Sequence, residues 1–77
     1  MKDQSNYKYE IKEKIGVLST SPKGWTYELN VVDWGKGAKY DLRQWAPERV
    51  HFSQGARFTE EEIKALYTLL KQKLEEA

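Results

Sequence analysis

The sequence predicts an α+β domain in which four antiparallel strands are followed by one C-terminal amphipathic helix. Two observations carry this prediction. Apolar and polar residues alternate between turn-forming clusters through residues 7–45, which is typical of strands with one buried face. In residues 59–77 the apolar residues instead recur at steps of three and four, which is typical of a helix. A chain of 77 residues, 39% of them hydrophobic, has room for a single domain, residues 1–77, with one small core.

The first predicted strand occupies the segment YKYEIKEKIGVL, residues 7–18. Its apolar residues fall on alternate positions with lysines and glutamates between them, so one face is expected to be dry. The segment STSPKG that follows supplies the serine, proline and glycine that favour a turn. The expected dry face consists of Tyr7, Tyr9, Ile11, Ile15 and Val17.

The second and third predicted strands, WTYELNVVDW and KYDLRQW, flank the glycine-containing segment GKGA. If GKGA closes a four-residue hairpin loop, partners across the ladder share a face of the sheet. Two tryptophans then lie on the polar face, while Val31 and Leu42 lie on the opposite face, which the helix is expected to cover. The predicted register pairs Trp34 with Lys39, Val32 with Asp41, Asn30 with Arg43 and Glu28 with Trp45.

After Pro47, the segment RVHFSQGARF predicts a shorter and irregular fourth strand that is interrupted near Gly55. The helix is better defined, because Thr59 and Glu62 have the spacing of a capping box and glutamates occupy the first turn. An open sheet with one helix buries little of so small a chain, which favours a dimer. The helix stripe consists of Ile63, Leu66, Tyr67, Leu70 and Leu74, and Leu69 widens it.

The composition excludes several classes of function. There is no cysteine, hence no disulfide or thiolate metal site, and the single histidine, His51, has no second histidine with which to hold a metal ion. No serine nucleophile has an obvious base partner, so an enzyme is not expected and no cofactor is implied. No apolar run reaches the length of a signal peptide or a membrane span, which predicts a cytoplasmic protein without a membrane partner.

The predicted polar face combines tryptophans with basic residues. In the predicted register Trp34 and Trp45 lie about 20 Å apart with Lys39 and Arg43 between them. Unpaired bases stack on aromatic rings and cations follow the phosphates, so this pattern predicts sequence-tolerant binding of single-stranded nucleic acid. The net charge of +1 gives no such indication, but residues 1–58 carry ten basic residues against seven acidic ones.

Two further lysines extend this expectation. Gly35 and Gly37 let Lys36 approach a nucleic-acid backbone, and Lys14 continues a basic line on the first strand. The alternative is that the tryptophans are structural and cover a second small core or a subunit interface, with the lysines as a solvated face. The corresponding alternative function is a protein-interaction module whose exposed aromatics contact a partner.

Two segments, DWGKGAKYDLRQW and GARFTEEEIKALYTLL, resemble the transcriptional coactivator family typified by positive cofactor four, whose C-terminal domain binds single-stranded DNA. In that family a strand ends in an Asp-aromatic pair, a short Gly/Lys turn follows, and the next strand carries Asp-apolar-Arg and then aromatics. QGARFTEEEI is similar to the family's entry to its helix. The resemblance covers roughly residues 25–74, and the matching positions are Asp33, Trp34, Asp41, Leu42, Arg43 and Trp45.

The resemblance implies a curved four-stranded antiparallel sheet with a C-terminal helix, assembled as a homodimer through the helices. The implied partners are a second copy of the chain and single-stranded DNA, with RNA as a variant, in transcription or DNA maintenance. Of the family's basic loop before the helix only Arg49 and Arg57 are present. The predicted nucleic-acid-binding residues are Trp34, Lys36, Lys39, Arg43, Trp45, Lys14, Asn30 and Arg57, and the predicted dimer-interface residues are Leu66, Leu69, Leu70 and Leu74.

Overall fold

The computed structural model describes residues 8–76, which form one open antiparallel sheet followed by a C-terminal helix. The strand order in the sheet is the order along the chain, so each strand pairs with its neighbours in sequence. The predicted α+β class, with four antiparallel strands and a terminal helix, is confirmed. The elements are β1 (Glu10–Thr20), β2 (Thr26–Asp33), β3 (Ala38–Trp45), β4 (Ala56–Phe58) and α1 (Glu60–Glu75).

β1 is the longest strand, and its pairing with β2 is irregular. The register shifts at three evenly spaced places between Ile11 and Ser19. Each shift inserts a residue and moves the side chains that follow to the other face, because the side-chain period of a strand is two. The predicted dry face is therefore wrong for β1: Ile15 and Val17 are 45% and 57% exposed, and Tyr7 lies outside the described residues.

The hairpin of β2 and β3 has a register two residues away from the predicted one. β2 ends at Asp33, because the Asp33 carboxylate accepts hydrogen bonds from the backbone N–H groups of Gly35 and Gly37 and closes the loop one residue earlier than expected. The shift is even, so every side chain keeps its predicted face. The partners change: Val32 lies opposite Lys39, Asn30 opposite Asp41, Glu28 opposite Arg43 and Thr26 opposite Trp45.

The core lies on the tryptophan-bearing face of the sheet, where Val32 and Trp45 have no exposed surface. Residues 46–55 fold back over this face, and Phe52 forms a bridge with Trp45. The expectation that this face is open is therefore wrong, and the structural alternative describes Trp45 correctly. Four rings meet with centroid separations from 4.9 to 6.5 Å, and we call them the aromatic cluster: Tyr9, Trp34, Trp45 and Phe52.

The fourth strand is short and follows a close approach to β3, as the glycine in this segment predicts. A Cβ atom built on Gly55 would lie 2.5 Å from the Cβ atom of Arg43 and 2.6 Å from the carbonyl oxygen of Leu42. Only glycine lets the backbone pass this close. Gly55 therefore brings the chain against Arg43 just before β4 begins.

α1 begins as predicted and packs differently from the prediction. Its capping box is complete, since Thr59 Oγ1 accepts from the Glu62 N–H and the Glu62 carboxylate accepts from the Thr59 N–H. The helix contacts the sheet at β3 and β4, but none of its described residues is buried. Because α1 follows directly on the edge strand β4, it lies beside the sheet, and Leu70 and Leu74 remain 49% and 79% exposed.

The second face of the sheet is apolar and incompletely covered. Tyr27 is 38% exposed, and the neighbouring side chains are only partly buried. The expectation that the helix stripe covers this face is wrong within one chain. Among the described residues, no helix is long and apolar enough to cross a membrane. The apolar face consists of Tyr27, Leu29, Val31, Tyr40 and Leu42.

Candidate nucleic-acid interface

Asp41 on β3 is the centre of the candidate site. Its carboxylate is fully buried and accepts hydrogen bonds from Nε and Nη2 of Arg43, each at 2.7 Å, and from Nε1 of Trp34 at 2.9 Å. Residues two apart on a strand share a face, which explains why Asp41 pairs with an arginine of its own strand. The bidentate geometry fixes the guanidinium plane, so Arg43 is an anchored ion-pair partner instead of the free surface cation that was predicted.

Arg43 covers one side of the Trp34 indole. Its guanidinium carbon lies 4.4 Å from the Trp34 ring centroid and 5.5 Å from that of Phe52. Its Nη1 also donates to the Ser53 carbonyl oxygen at 3.4 Å. A guanidinium carries about five N–H donors, of which these bonds to Asp41 and Ser53 use three, so about two remain. Arg43 is therefore charge-compensated, 8% exposed and still able to donate.

An open depression of about 340 Å³ lies beside this pair. We call it the Trp34 groove, and its walls bring together four of the predicted binding residues. Lys36 and Arg57 are exposed, and neither forms an ion pair with a carboxylate of residues 8–76. The groove thus combines a half-buried indole with two uncompensated cations. Its lining residues are Trp34, Lys36, Arg43, Phe52 and Arg57.

Two predicted residues lie elsewhere on the same face, at the β1–β2 side of the sheet. A smaller depression of about 190 Å³ contains Lys14 and Asn30 together with Glu28 and Arg49. Asn30 is 1% exposed, and its Nδ2 donates to the Glu28 carboxylate at 3.1 Å. The Asn30 amide is thus engaged inside the protein, whereas the Lys14 ammonium is exposed.

Glu28 is the second buried carboxylate with an arginine partner. Both terminal nitrogens of Arg49 donate to it, and the Arg49 guanidinium carbon lies 4.8 Å from the Trp45 ring centroid. Burial alone would raise the pKa of Glu28, but hydrogen bonds from Arg49, Thr26 and Asn30 and the charge of Arg49 outweigh it and lower the pKa to about 2. Arg49 has a φ of 67°, in the left-handed region that disfavours side chains, so this turn is held against local strain.

The predicted track, with tryptophans about 20 Å apart, is wrong. Trp34 lies in the hairpin loop and its ring folds back over the sheet, so that the centroids of Trp34 and Trp45 are 6.5 Å apart and the planes differ by 11°. Trp45 is fully buried and has no face open to a base. Lys39 is exposed but lines a separate depression that also contains Glu13 and Glu60. Neither residue belongs to the Trp34 groove.

Sequence reasoning named Trp34 and Arg43 but missed the pairing of Arg43 with Asp41 that organises the groove. Asp41 and Arg43 are two apart on one strand, and this spacing could have indicated a pair on the same face. Tyr9, which the alternation assigns to the dry face, does join the aromatic cluster, whereas Phe52 joins it from an irregular segment where no strand periodicity indicates which way a side chain faces. His51 is exposed as expected, and its Nδ1 lies 2.6 Å from the Glu48 carboxylate.

Comparison with known proteins identifies a relative but does not indicate a function. No family model matches the chain. A Treponema pallidum (strain Nichols) protein described as an uncharacterized protein is 41% identical over 66 residues, which cover 84% of this chain and 78% of that protein. The chain therefore belongs to the same family as this uncharacterized protein of Treponema pallidum.

Proposed function

We propose that this protein binds single-stranded DNA with tolerance of sequence, in transcription or DNA maintenance, in the manner of the positive cofactor four family. The observation that carries the proposal is the Trp34 groove. There a partly exposed indole lines the same depression as Lys36 and Arg57, which have no carboxylate partner among the described residues. A base stacked on an aromatic ring contributes about 1–3 kcal/mol, and free cations bind the flanking phosphates.

The geometry favours a single strand over a duplex. In a duplex the base faces are hidden in the stack, so an indole in a groove can reach them only when the strand is unpaired. Trp34 is held in place by its hydrogen bond to Asp41 and by the aromatic cluster, so little conformational freedom is lost when a base stacks.

We propose further that the working unit is a homodimer. The molecule has two apolar sides that its own chain covers incompletely, the sheet face and the exposed leucines of α1, with Leu69 and Leu74 63% and 79% exposed. A second copy covers such a side in a two-fold symmetric contact. Two copies also present two Trp34 grooves, so a strand that spans both gains affinity through effective concentration.

Titration with a fluorescently labelled oligo-dT tests the proposal. We expect tryptophan fluorescence to be quenched on binding and the affinity to fall steeply with salt, because phosphate contacts release counterions. A duplex of the same length is the matched control and is expected to bind more weakly. Absence of oligo-dT binding at low salt would overturn the proposal.

A second candidate function is a protein-interaction module. The exposed apolar residues Ile15, Val17 and Leu18 of β1, which are 45% to 60% exposed, favour it. In that case tryptophan fluorescence changes with protein concentration or with an added partner and is indifferent to oligonucleotides. If RNA binds as well as DNA in the same titration, single-stranded RNA is the variant of the first proposal.

A further inference from the structure

We infer that the Trp34 groove distinguishes bases by the exocyclic group at C4 of a pyrimidine or C6 of a purine, favouring a carbonyl oxygen there (thymine, uracil, guanine) over an amino group (cytosine, adenine). The inference rests on the proposed function and adds to it a preference among single strands. It follows from the hydrogen-bonding character of the groove walls.

Every side-chain polar group that lines the groove is a hydrogen-bond donor. Lys36, Arg43 and Arg57 carry N–H groups and no acceptor. The carboxylate bound to these groove residues, that of Asp41, is fully buried, and its oxygens accept from Arg43 and from the Trp34 indole. A base amino group in this groove meets other donors, whereas a base carbonyl oxygen meets partners.

The three cationic side chains divide into two kinds. Lys36 and Arg57 are exposed and form no ion pair with a carboxylate of residues 8–76, which suits them to phosphates. Arg43 is anchored by Asp41, so its charge is balanced and its guanidinium plane is fixed next to the stacking ring. A fixed fork with about two unused N–H donors is the group that recognises a base edge.

The bases differ at the position that such a fork would meet. Thymine and uracil carry O4 where cytosine carries an amino group, and guanine carries O6 beside N7 where adenine has an amino group beside N7. The guanidinium carbon lies over the Trp34 ring, 4.4 Å from its centroid, so a base that stacks on the uncovered part of the same indole face has this edge next to Arg43. A base with a carbonyl oxygen at this position can therefore accept a hydrogen bond from Arg43, whereas a base with an amino group there cannot.

Equal-length oligo-dT, oligo-dU and oligo-dC test this inference, titrated at one salt concentration and at pH 7.5. Their phosphates are the same, and all three are pyrimidines, so differences in backbone charge and in purine self-stacking are absent. We expect oligo-dT and oligo-dU to bind alike and roughly fivefold or more tighter than oligo-dC.

The other outcomes separate this inference from the proposed function. Equal binding of all three oligonucleotides would overturn the base preference and leave single-strand binding intact. If oligo-dT alone binds tightly and oligo-dU matches oligo-dC, the thymine methyl group is responsible and the inference is wrong. Failure of all three to bind would overturn the proposed function and this inference with it.

Two variants locate the preference on Arg43. Arg43→Lys keeps a positive charge beside Asp41 but loses the fork, so the ratio of oligo-dT to oligo-dC affinity should fall towards one while binding persists. Lys36→Ala should weaken both oligonucleotides by a common factor and leave that ratio unchanged. Circular dichroism tests whether each variant is folded. If Arg43→Lys does not fold, the ratio of oligo-dT to oligo-dC affinity of the wild-type protein still decides the base preference. A ratio that stays high in folded Arg43→Lys would contradict the assignment to Arg43.

Discussion

The guanidinium of Arg43 lies over the indole of Trp34, 4.4 Å from the ring centroid, and both side chains donate to the one carboxylate of Asp41. This arrangement makes the Trp34 ring and its neighbouring cation a single rigid unit. Its stability depends on one buried charge, whereas the proposed binding of single strands depends on the cations around it, so the two properties can be tested separately.

Replacing Asp41 with Asn should destabilise the protein strongly. The change leaves Arg43, which is 8% exposed, without its compensating charge, a loss of about 3–5 kcal/mol in the free energy of unfolding. Urea denaturation followed by tryptophan fluorescence measures it. Asp33→Asn is the matched control, since its carboxylate serves an exposed turn and its replacement should cost less than about 1 kcal/mol. Equal stability of the two variants would contradict the role of Asp41.

Replacing Trp34 with Ala should weaken oligo-dT binding by about 1–3 kcal/mol, the value of one lost stack. The same change removes a member of the aromatic cluster and should also lower the free energy of unfolding. Trp34→Phe separates the two effects, because it keeps a ring for stacking but loses the hydrogen bond to Asp41. Trp25→Phe, outside the groove, is the control and should bind as the wild type does; a loss of binding there equal to that of Trp34→Ala would refute the assignment.

Removing a groove cation should change the salt dependence of binding. Lys36→Ala and Arg57→Ala should each reduce the slope of log affinity against log salt by about 0.7, the value for one phosphate contact with a single strand. Lys23→Ala provides the comparison, because Lys23 is equally exposed but lies in the turn between β1 and β2. The slopes are measured by fluorescence titration over a series of salt concentrations. An unchanged slope in the groove variants would show that the phosphates lie elsewhere.

Stability should fall in acid through Glu28. Its pKa is about 2 in the folded protein and near 4.5 when unfolded, so the folded state favours the ionised form. The stabilisation is complete above pH 4.5 and is lost as the pH falls from 4.5 towards 2, a change of about 3 kcal/mol. Glu28→Gln should therefore be less stable at pH 7, and its free energy of unfolding, measured by urea denaturation, should change less between pH 4.5 and pH 2. Glu48→Gln replaces an exposed carboxylate that is bound to His51 and should leave most of this pH dependence in place.

Charging the exposed helix should dissociate the proposed dimer. Leu69→Glu combined with Leu74→Glu places two carboxylates in the apolar side of α1 and should give a folded monomer in sedimentation equilibrium. Thr68→Glu adds a carboxylate to the same helix at an exposed position that is neither three nor four residues from a predicted interface residue, and it should leave the dimer intact. A wild-type chain that is monomeric at micromolar concentration would contradict the dimer.

The elements of the fold could be predicted from the sequence because each depends on local signals. The capping box of Thr59 and Glu62 sets the start of α1, and the alternation in β2 and β3 assigns their faces correctly despite the wrong register. An even register error moves partners but not faces. Which face is covered could not be predicted, because periodicity shows that the two faces differ but not which one the chain folds over.

The candidate site was predicted in part for the same reason. Four of the eight predicted binding residues meet in the Trp34 groove. Trp34, Lys36 and Arg43 lie on the β2–β3 hairpin, and Arg57 of β4 lies opposite Asp41 of β3. Trp45 and Asn30 were assigned to an open surface that residues 46–55 in fact cover. The position of that segment depends on Phe52 and Arg49, whose contacts with Trp45 are tertiary and leave no periodic trace in the sequence.

The aromatic cluster also determines how the chain must fold. More than half of the chain separates Tyr9 from Phe52, yet their ring centroids lie 6.0 Å apart. The β2–β3 hairpin carries Trp34 and Trp45, the two tryptophans of the aromatic cluster, but cannot enclose them. An isolated hairpin therefore has no core to stabilise it. The segment before β1 and the segment between β3 and β4 must both meet the hairpin before the core closes, which makes folding cooperative and slower than the formation of α1. Trp45 should therefore become buried in a single late step, together with the closure of the whole sheet.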